Sequence, residues 1–134
     1  MTKNIESSTY FSNNIQPVVN GLALANPIRV ISTPFMPTLI TMGITFIITG
    51  LENEPGQTYQ ITLRRKDSGE IVIQTKKENL KYTNPYNTVI NINLENTQFN
   101  QKTGGDYEAA IEIKDKNDEQ IYLGKGTFSI IKTK

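Results

Sequence analysis

Tyr107-Glu108-Ala109-Ala110-Ile111-Glu112-Ile113-Lys114 sets Tyr107, Ala109, Ile111 and Ile113 at every second position, with Glu108, Glu112 and Lys114 between them. A period of two sends successive side chains to opposite faces of a strand, so this segment has one face for a core and one for water. The same alternation recurs on both sides of it. Ile90, Ile92 and Leu94 alternate with Asn91 and Asn93; Ile44, Phe46 and Ile48 with Thr45 and Thr49; Tyr59, Ile61 and Leu63 with Gln60, Thr62 and Arg64. Phe128 and Ile130 extend the pattern beyond Tyr107, Ile111 and Ile113, and these alternating residues together are the expected core. No 3.6-residue stripe competes with them. Turn-forming clusters separate the runs: Glu52-Asn53-Glu54-Pro55-Gly56, Lys66-Asp67-Ser68-Gly69 and Asp115-Lys116-Asn117-Asp118. Short alternating strands between such turns predict an all-β chain, an antiparallel β-sandwich of about seven to nine strands.

A chain of 134 residues is the length of one domain and long enough for one hydrophobic core, so residues 1–134 are read as a single sandwich domain. Within it, residues 40–134 carry the regular strands, and residues 1–39 read as irregular strands and a loop. Val30 to Leu51 is the most apolar stretch, but Pro34, Pro37, Gly43 and threonines at 33, 38, 41, 45 and 49 suit a loop followed by a buried strand, not a membrane helix. The N-terminal Met1-Thr2-Lys3-Asn4-Ile5-Glu6-Ser7-Ser8 has neither the basic region nor the apolar run of a secretory signal, which predicts a cytoplasmic protein. Heavy use of isoleucine, asparagine and lysine points to an AT-rich bacterial or phage genome.

The chain has no histidine, cysteine or tryptophan. Nucleophilic triads and most zinc sites need histidine or cysteine as tunable proton acceptor or soft ligand, so those chemistries are excluded. Glu52, Glu54, Glu108 and Glu112 are the carboxylates a glycosidase pair would draw on, but Glu108 and Glu112 share the wet face of one strand with Lys114 and read as sheet solvation. Asp115 to Glu119 lacks the ligand spacing of a calcium loop and reads as a hairpin turn. No catalytic residue, metal or cofactor is expected.

Positive charge is uneven. Residues 61 to 90 hold Arg64, Arg65, Lys66, Lys76, Lys77 and Lys81, six bases against three acids, with Tyr82 and Tyr86 following. If the flanking strands form a hairpin, Arg64, Lys66, Lys76 and Lys77 gather near one end, and these eight residues are the candidate anion or partner contact. A net charge of +1 argues against nucleic acid as the partner, and lysine on an edge strand also blocks aggregation. A sugar platform would have only tyrosines to offer, such as Tyr82, Tyr86 and Tyr122. Pro34-Phe35-Met36-Pro37 is a rigid apolar knuckle that reads as a plug for one end of the sandwich, with an exposed contact patch as the alternative. Gly124-Lys125-Gly126 suggests a bulge or kink between two strands.

Gly21, Pro34-Phe35-Met36-Pro37, Ile44-Thr45-Phe46-Ile47-Ile48-Thr49-Gly50-Leu51, Pro55-Gly56-Gln57-Thr58-Tyr59, Asp67-Ser68-Gly69 and Gly105-Asp106-Tyr107 together resemble a family of small uncharacterised bacterial and phage immunoglobulin-like sandwich proteins. The resemblance implies an immunoglobulin-like fold and carries no assigned activity or functional residues. Gly105-Asp106-Tyr107 also resembles the tyrosine corner of such sandwiches, where the phenol bonds to nearby backbone and pins a connection. The expected role is therefore non-enzymatic binding of a protein partner, or self-association, through strand edges. The alternatives are a polyanion binder through residues 64–86 and a carbohydrate-binding or surface module.

Overall fold

The computed structural model describes residues 5–18, 21–52, 54–81, 87–99 and 104–133. Among them the chain is all-β, with strands β1 (Glu6–Val18), β2 (Gly21–Ile28), β3 (Val30–Thr33), β4 (Thr38–Thr49), β5 (Thr58–Arg65), β6 (Ile71–Gln74), β7 (Glu78–Asn79), β8 (Asn87–Phe99), β9 (Gly104–Lys114) and β10 (Gln120–Lys132). One sheet has the order β2-β1-β4-β8, and the other β3-β10-β9-β5-β6 with β7 beside β5. The pairs are antiparallel except for β3 on β10, which is parallel. No helix long and apolar enough to cross a membrane occurs among the described residues, and Val30 to Leu51 contains β3 and β4.

The two sheets pack face to face. Ile44, Phe46, Ile48, Ile90 and Leu94 from the first meet Ile61, Leu63, Tyr107, Ile111, Ile113, Phe128 and Ile130 from the second, all buried as the alternation predicts. Tyr59 and Ile92 pack against this core but stay half-buried, Tyr59 near the start of β5 and Ile92 on the outermost strand of its sheet.

Phe99 is also buried, at 1% exposure, although simple alternation from Leu94 would point it outward. The pairing of β8 with β4 shifts between Ile40↔Thr97 and Met42↔Leu94, so Glu95 and Asn96 stand opposite Thr41 alone. This is a β-bulge, with Asn96 at a φ of 48° and its amide donating to Thr41 Oγ1 at 3.1 Å. The extra residue reverses the inward parity and turns Phe99 into the core. There its ring meets Tyr107 edge-on at 5.0 Å and Phe128 at 6.3 Å, while Tyr107 stacks on Phe128 at 5.5 Å.

Residues 1–39, expected to hold irregular strands and a loop, contain β1, β2 and β3, and the thirteen-residue β1 lies between β2 and β4. Its inward row, Ser7, Thr9 and Phe11, is mostly polar, which hides it from a search for apolar alternation. Gly124 and Gly126 of β10 explain the choice. A Cβ on Gly124 would come within 2.5 Å of Ser7 Oγ, and one on Gly126 within 2.5 Å of Thr9 Cβ. The expected bulge at Gly124-Lys125-Gly126 is therefore a close approach of the two sheets along a continuous β10, and the irregularity in β9–β10 pairing falls at Gln120 to Tyr122. Across this narrow gap Ser7 Oγ and the Tyr122 hydroxyl share a hydrogen bond of 2.6 Å. The Pro34–Pro37 knuckle divides its roles: Met36 packs against the core, whereas Phe35 is 73% exposed.

Candidate functional site

A β-sandwich has four open strand edges, each a row of backbone donors and acceptors able to take another strand. Among the described residues the edges here are β2 and β8 of one sheet and β3 and β6, continued by the two-residue β7, of the other. β2 contains Pro27, which lacks an N–H. β3 is four residues long and runs between Arg29 and Pro34, and β6 is four residues long with Glu70 before it and Lys76 and Lys77 soon after. Each carries a device that discourages pairing.

β8 differs. It is thirteen residues long, has no proline, lysine or arginine, and carries one charge, Glu95, next to the bulge at Asn96. From Asn87 to Leu94 it is uncharged and pairs with β4 without a register shift. Asn91 and Asn93 are exposed on the outer face with Val89 half-buried between Thr88 and Ile90; the inner row is Thr88, Ile90, Ile92 and Leu94. Period-two alternation built this strand, and nothing in its composition closes its free side. The strand was legible in the sequence; its position at the edge was not.

Strand register spreads the described bases of the predicted contact along β5. β5 and β6 pair with Arg64 opposite Ile71, and β5 and β7 with Tyr59 opposite Glu78. Arg64, Arg65 and Lys66 thus lie at one end of β5 and Lys76 and Lys77 toward the other, about 13 to 20 Å apart at 3.3 Å per residue. Lys77 forms an ion pair with Asp118, and Lys66, Lys76 and Lys81 are exposed. Arg64 stands opposite Glu108 on β9. Tyr82 and Tyr86 lie outside the described residues.

Arg65 is structural. Its Nε donates to Asp67 Oδ1 at 2.7 Å, and its Nη1 donates to the Gly104 carbonyl at 2.7 Å and to the Tyr107 hydroxyl at 3.4 Å. The guanidinium also sits 5.8 Å from the Tyr107 ring centroid, within cation–π range. Gly105 makes room for it, because a Cβ there would lie 2.6 Å from Nη1. Arg65 Nη1 thus links the Tyr107 hydroxyl to the Gly104 carbonyl. These contacts hold the Asp67 carboxyl below its ordinary range, chiefly through the hydrogen bond from Arg65, while burial raises the Tyr107 phenol above its own.

Several of the remaining candidates have local contacts. Asp115 Oδ1 accepts from the amides of Asn117 and Glu119 at 2.8 and 3.0 Å, as in a polar hairpin turn. Glu108 lies 3.7 Å from the Lys125 ammonium, and Glu112 lies 3.6 Å from that of Lys114. Among the described residues no group of three metal-ligating side chains comes together. Tyr122 is half-buried with its hydroxyl held by Ser7. An open groove of about 500 Å³ runs between β1 and β10, with Tyr10, Arg29, Lys125 and Thr127 among its lining residues.

No protein-family model matches the sequence, and no curated protein matches it. Among solved structures, the crystal structure of a beta-glucosidase from Listeria innocua in complex with glucose is similar with a TM-score of 0.47 and 7% sequence identity, over 96% of this chain. This chain spans 16% of that protein's length. A likeness of this degree carries no argument about activity.

Proposed function

We propose that this chain is a non-enzymatic, immunoglobulin-like β-sandwich that binds a protein by accepting a strand on the free edge of β8. The observation that carries the reading is the composition of that edge: thirteen residues with a single charge and none of the proline, lysine or short length found at the other three edges. Strand addition draws its affinity from main-chain hydrogen bonds, and an uncharged, regular run of eight residues from Asn87 to Leu94 offers them.

The immunoglobulin-like assignment draws on strand order. β1, β4 and β8 occupy one sheet and β5, β9 and β10 the other, which corresponds to the division of the A, B and E strands from C, F and G. Tyr107, near the start of β9, occupies the place of the corner tyrosine, with Arg65 as its hydroxyl's partner.

A photo-crosslinking residue in place of Asn93 tests the function directly, with one in place of the exposed turn residue Asn117 as control. In host extract, position 93 is expected to give a discrete protein adduct, either of twice the chain mass or of another mass, and position 117 none. Absence of an adduct from position 93, or equal labelling from both positions, defeats the proposal.

A further inference from the structure

We propose that the strand received by β8 is β8 of a second copy of this chain, paired antiparallel about a two-fold axis beside Asn91. This rests on the strand-addition reading and names its partner.

The uncharged, unbulged run has Asn91 near its middle. Antiparallel pairing centred there sets position 90 against position 92 of the second copy, 89 against 93, and 87 against 95. Every one of these juxtapositions is compatible with two identical strands. On the inner face, Ile90 meets Ile92 in both directions, at the 4.5 to 5.5 Å spacing typical of directly opposed Cβ atoms. That contact covers Ile92, which is half-buried on a strand with no neighbour on that side among the described residues.

On the outer face Asn91 opposes itself. A carboxamide both donates and accepts hydrogen bonds, so it is complementary to its own copy, as neither a lysine nor a carboxylate would be. Glu95, the strand's one charge, falls opposite position 87 of the second copy, so the two carboxylates do not face each other. The net charge of +1 adds almost no long-range repulsion between copies. The joined four-stranded sheets form one continuous sheet of about eight strands, within the usual range.

Light scattering across a concentration series tests the pairing. The wild-type chain is expected to approach twice its 15.1 kDa mass as concentration rises. Asn91→Lys places two ammonium groups against each other across the axis and is expected to weaken association about tenfold or more. Asn91→Glu should do the same, and an equal mixture of the two variants should recover the dimer. Hydrogen exchange on the wild-type chain gives a readout independent of any variant, since amides of residues 87–94 should gain protection as concentration rises. A wild-type chain that stays monomeric with concentration-independent exchange overturns the proposal, as does an Asn91→Lys variant that dimerises like wild type. If position 93 still crosslinks to a different protein in that case, self-pairing fails while strand addition stands; if it crosslinks to nothing, both fail.

Discussion

Arg65 has its polar contacts within its own chain. Its side chain is only 11% exposed and bonds to Asp67, Gly104 and Tyr107, which removes it from the set of bases a partner could reach. Sequence marks an arginine as positive but says nothing of whether a carbonyl and a phenol wait for it forty residues away. Tyr107 has a pH consequence of known sign. Its folded-state phenol ionises above the ordinary value, first because it is buried, so the folded state is favoured by the neutral form. That contribution is complete below the unfolded value of about 10 and is lost as pH rises through the folded one. Urea melts at pH 9 and pH 11 are therefore expected to show a larger loss of stability for wild type than for Tyr107→Phe. Equal losses would mean that this phenol does not govern the alkaline limb.

At the level of elements, the bulge at Asn96 and the glycine row of β10 decide which residues belong to the core. Phe99 is buried only because one extra residue resets the parity of β8, and its ring touches Tyr107 and Phe128. Phe99→Ala is expected to cost about 3 to 5 kcal/mol in chemical denaturation through lost transfer and a cavity. A cost below about 1 kcal/mol would place that ring in solvent. Gly126 lets β1 approach β10, so Gly126→Ala is expected to destabilise by about 1 to 3 kcal/mol through overpacking against Thr9. Thr9→Gly in the same chain should return part of that loss, because the two sites share one contact and their effects are not additive. The sequence showed β4, β5, β8, β9 and β10 through apolar alternation. It left β1 without a clean pattern because Ser7 and Thr9 face glycines, and a strand whose inward row is small and polar has little hydrophobic period.

At the scale of the whole molecule, charge is dispersed among the described residues. The two groups of bases on the β5–β6–β7 segment lie about 13 to 20 Å apart along β5 by strand rise, and Lys77, Lys114 and Lys125 each have a carboxylate within ion-pair distance. A heparin column is accordingly expected to release the protein below about 0.3 M salt, where exposed charges are already strongly screened. Retention beyond that point would restore the polyanion reading. What the sequence determined by itself was the strand content and most of the inward rows, because a two-residue period is local and each strand displays its own. It also removed histidine- and cysteine-dependent chemistry by composition alone. Tertiary structure alone decided that Arg65 is a pin, that the bases separate, that Phe99 turns inward and that β8 ends its sheet. Each of those depends on which strands are neighbours and in what register, and pairing between distant segments leaves no periodic trace in either one.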